Sequence, residues 1–328
     1  MSRQFREVFQ FANKDITHYF PGHMPRGLKQ MQRTLKHVDA IIEVHDARIP
    51  FSGRNPHFND TITLRPHMLV LNKVDLVPQY QRSAVANKLK SEGINKVLYT
   101  NCKEQTHFSI KNKFLPAVFD MLDDVPRFNR TNVEAYNLLV IGVPNVGKSS
   151  LINALRRTHL KKGKATRVGG ESGITRSVEE KIRVSSHPLI YVYDTPGILS
   201  PQVQSMDAGM KLAACNTLKD HLVGEDVIAD YVLFWLNKHE YFRYVHAFDL
   251  DEPTDNIHAL LLHICKTHNF TCKVNTQTGT GRKVLTGPNL KRAADYFLRA
   301  FRTGELGKIN MDMDLLELDN DEKQDITM

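Results

Sequence analysis

The stretch Gly142–Ser150, GVPNVGKSS, limits what this chain can fold into more than any other. It matches the phosphate-binding loop G-x-x-x-x-G-K-[S/T] in full, at Gly142, Gly147, Lys148 and Ser149. Glycines let backbone N–H groups turn inward onto a polyphosphate, and a helix N-terminus behind them adds partial positive charge. The context fits, because the apolar run Leu138–Ile141 before the loop reads as a strand and Leu151–Leu155 after it reads as a helix. Lys148 is expected to reach the β- and γ-phosphates and Ser149 to ligate Mg²⁺. Asn145, Val146, Gly147 and Ser150 complete the expected cradle. The chain is therefore read as binding a nucleoside triphosphate.

Which nucleotide is decided at Asn72-Lys73-Val74-Asp75, directly after the apolar run Met68–Leu71. A carboxylate at Asp75 accepts from both N1–H and the 2-amino group of guanine, and adenine offers neither donor. Leaving that carboxylate unpaired discriminates by several kcal/mol. Asn72 is expected to hold the loop and the base edge, and the Lys73 stem to cover the base face. Asn101, in Thr100-Asn101-Cys102 at the end of a third strand, joins the base contacts. Asp194-Thr195-Pro196-Gly197 supplies D-x-x-G: Asp194 is expected to reach Mg²⁺ and the Gly197 amide to sense the γ-phosphate. Thr175 is the expected switch threonine on Mg²⁺, with Thr166 an alternative in the same loop.

These motifs each follow a strand, and strands alternating with helices argue for an α/β fold. The expectation is a P-loop GTPase domain with a mostly parallel six-stranded sheet flanked by helices, spanning residues 19–200. In such sheets ligands sit at the carboxyl ends of the strands, so the motifs converge on one edge whatever their order. From residue 201 to 310 helical periodicity dominates, as in the stripe Leu290, Ala294, Phe297, Leu298 and Phe301, which predicts a smaller all-helical domain. Residues 311–328 read as an acidic, disordered tail. At residues 1–18, Phe5, Val8, Phe9, Ala12 and Ile16 fall on one helical face. That segment is either a mitochondrial presequence or an ordinary amphipathic lead-in helix.

Composition adds bounds. Hydrophobic content of 41% and charged content of 24% suit a globular protein, and no run approaches the length of a membrane-spanning helix. The net charge of +8 leans mildly towards an anionic partner, nucleic acid or lipid. Four cysteines, Cys102, Cys215, Cys265 and Cys272, match no zinc spacing and read as reduced thiols. Lys161, Lys162, Lys164 and Arg167, and on the last helix Lys291, Arg292, Arg299 and Arg302, are the candidate RNA contacts.

The order of the motifs is permuted: N-K-x-D comes first, then the phosphate loop, then D-x-x-G. With Tyr19-Phe20-Pro21-Gly22-His23-Met24 and Asp46-Ala47-Arg48, this order resembles the circularly permuted GTPases that act in ribosome assembly, the branch of bacterial ribosome biogenesis GTPase A. Ile42–Pro56, Gly163–Thr175 and Asp220–Asp226 look like its mitochondrial member, so the resemblance covers roughly residues 18 to 308. It implies a GTP/GDP- and Mg²⁺-dependent GTPase that binds the maturing mitochondrial large ribosomal subunit and its rRNA. The same resemblance implies a place in the matrix, peripherally attached to the inner membrane.

Ile198 stands where Ras-like enzymes carry a water-orienting glutamine, so turnover is expected to be slow and partner-stimulated. The resemblance points to His23 as the water-positioning group, against the alternative of a histidine that only shapes its turn or touches RNA. It also points to Asn145 as a K⁺ ligand. Two competing readings are a GTP-gated RNA or membrane adaptor with little catalysis, and a small-molecule kinase. The guanine motif and D-x-x-G together argue against the kinase.

Overall fold

The computed structural model describes residues 5–11, 34–54, 65–104, 108–122, 134–161, 181–195, 205–278 and 281–316, with backbone alone over 274–278 and 281–285. The chain divides into two compact units: Thr17–Leu218 with Ile309–Met328, and Met1–Ile16 with Lys219–Lys308.

The first unit is built on a six-stranded sheet in the order β3-β2-β1-β4-β6-β5. Its strands are β1 Ala40–Asp46, β2 His67–Asn72, β3 Val97–Tyr99, β4 Tyr136–Ile141, β5 Lys181–Ser186 and β6 Leu189–Asp194. All neighbours are parallel except β5, which returns antiparallel on β6. Every residue of β1 is buried, as a central parallel strand covered on both faces requires, and hence its unbroken apolar start Ala40-Ile41-Ile42. The helices are α1 Gln81–Ser91, α2 Phe114–Leu122, α3 Lys148–Leu160 and α4 Met206–Ala214. A five-residue π turn, Ser109–Lys113, leads into α2, where periodicity predicts one helix from Ile110. On one side of the sheet Ala47, Leu69, Leu71 and Val74 pack against Val85 and Leu89 of α1.

β1 also buries a carboxylate that the sequence reading passes over. Glu43 Oε1 lies 2.8 Å from His45 Nε2, and Oε2 lies 2.9 Å from His67 Nε2. Burial opposes its ionisation, yet the two histidines hold Glu43 well below the usual carboxylate range.

The second unit contains α5 Asp220–Val223, α6 Glu225–Lys238, α7 Arg243–Ala247, α8 Ile257–Thr267 and α9 Leu290–Thr303. Asn256 and Asn289 cap α8 and α9, each side chain accepting from the backbone N–H three residues on. α6 buries Ile228, Tyr231, Val232, Phe234 and Trp235, and α9 lays down Ala294, Phe297, Leu298 and Phe301, with Leu290 only half-buried.

This unit is not all-helical. Strands β7 Thr271–Thr278 and β8 Gly281–Pro288 pair antiparallel, and β-branched residues such as Val274, Thr276 and Val284 suit them. The helix expected over Met206–Leu222 breaks after Ala214, where Asn216 takes φ 62°, so α4 belongs to the first unit and the division falls near 219 rather than 201. Residues 311–316 are not a disordered tail, because Met311, Asp312 and Leu316 are buried in the first unit. Near the N-terminus, residues 5–11 form no helix. Arg6 instead reaches Asp230 at 2.8 Å and Asp255 at 2.9 Å. Phe9 meets Tyr231 edge-on, with centroids 5.3 Å apart. No described helix is long and apolar enough to cross a membrane.

Candidate functional site

The parallel strands deliver their loops to one edge of the sheet. Asp46-Ala47-Arg48 leaves β1, Asn72-Lys73-Val74-Asp75 leaves β2, Thr100-Asn101-Cys102 leaves β3, the phosphate loop leaves β4, and β6 ends on Asp194.

Asn72 ties three of these loops together. Its Nδ2 donates to Val146 O at 2.8 Å, inside the phosphate loop. Its Oδ1 accepts from Cys102 N at 3.0 Å and from Thr100 Oγ1 at 3.3 Å. The side chain is 3% exposed, so each of these groups would be a buried polar atom without a partner if the amide were missing. The fit leaves no slack at Gly147: a side chain there would run into Asn72 Nδ2, and its φ of 104° already favours glycine.

The base-reading turn is similarly braced. Lys73 adopts the left-handed region at φ 61°, with Nζ 2.8 Å from Asp46 Oδ2. Asp46 also accepts from Arg48 Nε at 3.0 Å and Nη2 at 2.7 Å. Burial opposes the charge on Asp46, but the Arg48 guanidinium and the Lys73 ammonium hold its carboxyl well below the usual range. Val74–Leu76 closes as a single 3₁₀ turn, and its Asp75 carboxylate is exposed. Arg82 Nη2 donates to Val74 O at 3.0 Å from the first turn of α1. Asn101 is half-exposed and accepts from Lys103 N at 3.1 Å. Burial pushes the neighbouring Cys102 thiol up to about 12, which makes it a packed, unreactive group.

Lys148 opens α3 and is 7% exposed. Its Nζ donates to Gly142 O at 3.0 Å and Val143 O at 2.9 Å, folding over its own loop. Burial lowers its pKa to about 8, although Asp194 pulls the other way. Asn145 takes φ 60°, and its Nδ2 donates to Asn216 O at 2.6 Å, so the turn after α4 holds the phosphate loop from outside. Nothing in the sequence signals that contact, since Asn216 lies in a break of a predicted helix.

The donor set fits Mg²⁺ and a polyphosphate. Ser149 Oγ donates to Asp194 Oδ2 at 3.2 Å, while Asp194 Oδ1 is buried with no hydrogen-bond partner among the described residues. Burial raises the pKa of Asp194, outweighing the nearby Lys148 ammonium, so a dication there would restore its charge. Thr195 Oγ1 donates to Val140 O at 2.7 Å and fixes the chain next to it. Ser150 is half-buried on the first turn of α3.

His23, Thr166, Thr175, Gly197 and Ile198 lie outside the described residues, as do Lys162, Lys164 and Arg167. Of the other basic candidates, Lys161 and Arg299 are exposed. Lys291 is paired with Glu225 at 2.9 Å and Arg302 with Asp220 at 2.7 Å. Arg292 stands over the Phe270 ring at 4.5 Å.

Comparison with known proteins gives four results. A model of the family described as "50S ribosome-binding GTPase" matches residues 137–263. Mitochondrial ribosome-associated GTPase 1 of Ictalurus punctatus is 51% identical over 95% of this chain and 97% of its own length. The protein of the same name from Xenopus tropicalis is 49% identical, over 95% and 99%. Among solved structures, GNP-bound YlqF from T. maritima has the same fold at 20% identity, with a TM-score of 0.53 over 86% of this chain and 96% of that one.

Proposed function

The chain belongs to the mitochondrial ribosome-associated GTPase 1 family and is a GTPase, and from that premise we propose what its site binds and on which partner it acts. The guanine base is read by Asp75, with Asn72, Lys73 and Asn101 around it, and the phosphates lie in the cradle of Asn145, Val146, Gly147, Lys148, Ser149 and Ser150. Ser149, Thr175 and Asp194 would hold Mg²⁺, which would supply charge neutralisation to the phosphates. Lys148 releases its two loop carbonyls and turns its ammonium on the same phosphates. The Gly197 amide senses the γ-phosphate, His23 orients the attacking water, and K⁺ is held through Asn145. The observation that carries this reading is the single buried amide of Asn72 that locks the guanine turn to the phosphate loop. Such a lock suits one ligand that spans both loops.

The partner is the maturing mitochondrial large ribosomal subunit and its rRNA, in the matrix, with a peripheral contact to the inner membrane. Support for the ribosome comes from the names of the relatives and of the matching family. The exposed Lys161 and Arg299 suit a phosphate backbone. The adaptor reading, in which hydrolysis only resets binding, has no comparable support.

The test is binding of purified large subunits with the GTP-analogue and GDP forms, followed by salt extraction of mitochondrial membranes. Nucleotide-dependent binding to the large subunit supports the reading, and equal binding in both forms contradicts it.

A further inference from the structure

The segment Ile309–Leu316 follows the second unit in sequence and packs within the first, and nothing in the motif analysis gives it a role. It lies across the two turns that build the base-reading side of the site. Ile309 N donates to Leu76 O at 2.8 Å, on the 3₁₀ turn that carries Asp75. Met311 N donates to Arg48 O at 2.8 Å, on the turn whose Asp46 grips Lys73. Leu316 joins the apolar cluster of Val74, Val77 and Val85, and Lys88 Nζ donates to Leu315 O.

Asp312 is the anchor of this strap and is fully buried. Its Oδ2 accepts from Phe51 N and Ser52 N at 2.8 Å each, and its Oδ1 accepts from Ser52 Oγ at 2.5 Å. The same Oδ1 lies 3.4 Å from Lys211 Nζ on α4, the helix that follows D-x-x-G. Four donors converge on one carboxylate, so the strap, the Phe51-Ser52 turn that follows β1 and α4 share a single anchor point.

We propose that Ile309–Leu316 is a positioning strap for guanine recognition: it fixes the turn of Asp75 from behind and sets how well the site tells guanine from other bases. The strap donates to the carbonyls of Leu76 and Arg48 at the ends of these tight turns, and a buried backbone carbonyl needs such a donor. Without it the 3₁₀ turn keeps its sequence but loses its fixed aim, and a bidentate contact is the first interaction to suffer from a loose acceptor. Ile309, Met311 and Asp312 are positioning residues, since none of them needs to touch the nucleotide.

The proposal rests on Asp75 reading guanine, so the experiment separates the two. Affinities for GDP and for inosine diphosphate, which lacks the 2-amino group, are measured on the full chain carrying Ile309→Pro, Asp312→Asn or Asp75→Asn. Ile309→Pro removes the N–H given to Leu76. Asp312→Asn keeps the size of the side chain but replaces two acceptor oxygens with one. The strap variants should bind GDP about fivefold more weakly, the effect of one hydrogen bond, and lose most of the GDP-over-inosine preference. A general loss of stability weakens both ligands alike and leaves the ratio where it was. An unchanged ratio in both strap variants, with Asp75→Asn abolishing it, overturns the strap and keeps the guanine site. A ratio that survives Asp75→Asn overturns the guanine reading itself. If Ile309→Pro does not fold, the ratio of Asp312→Asn alone decides.

Discussion

Lys148 makes nucleotide binding depend on pH in a way its burial fixes. Lys148 is 7% exposed, and burial has brought its pKa down from 10.5 to about 8. A polyphosphate beside Nζ favours the charged form, so binding must take up a proton wherever the free lysine is partly neutral. At pH 8 about half of the free lysine is neutral, and binding should take up about half a proton. Between pH 7 and 8.5 the affinity should fall about fourfold, or about 0.8 kcal/mol. Stability of the nucleotide-free chain runs the other way. The unfolded lysine titrates at its ordinary value, so from about pH 8 to 10.5 the unfolded chain holds more protons and stability rises with pH. The assay is titration calorimetry with a non-hydrolysable GTP analogue, at pH 8, in two buffers of different ionisation enthalpy. Equal apparent heats in both buffers, with an affinity flat from pH 7 to 8.5, would refute the reasoning.

Three further predictions follow from the same contacts. Asn72→Ala strips partners from Cys102 N and Val146 O, so denaturant unfolding should show a loss of about 2 kcal/mol together with weaker nucleotide binding. A loss of neither would mean that the loops are held elsewhere. Asp194→Asn should shrink the gain in GTP-analogue affinity that Mg²⁺ gives over EDTA, because the amide carries no charge to offset the dication, and an undiminished Mg²⁺ effect would remove Asp194 from the metal site. Arg6→Ala breaks contacts to Asp230 and Asp255 and should cost about 1 kcal/mol, read as a lower melting temperature of the full chain. An unchanged melting temperature would mean that residues 5–11 are merely resting there.

The parts of the fold that sequence reveals are those in which function and local structure need the same residues. Glycines at 142 and 147, Lys148 and Asp194 announce both a ligand and a strand end, so the mostly parallel sheet and its loop edge are readable before any coordinates, whereas the order of its strands is not. Asn72 was legible as a loop-holding residue, but its partners Val146 and Cys102 were not, because they use only backbone atoms. The strap was hidden by charge. Asp312 and Asp314 make the segment look like a solvated tail, whereas Asp312 is buried by four donors distant in sequence. Phe5, Val8 and Phe9 fall on one face of an expected helix, but residues 5–11 form none, and Arg6 and Phe9 are held instead by long-range ion pairs and ring contacts. The β7–β8 hairpin was missed, because the helical periodicity around it outweighed β-branched residues such as Val274 and Thr276.

The central claim is that this GTPase is driven by the mitochondrial large ribosomal subunit. The measurement that reaches it most directly is GTP turnover in K⁺ buffer, with and without purified mitochondrial large subunits, with Lys148→Ala as the control. The account predicts slow turnover alone, strong stimulation by the subunits, and none in the variant. Turnover that the subunits leave unchanged would contradict it.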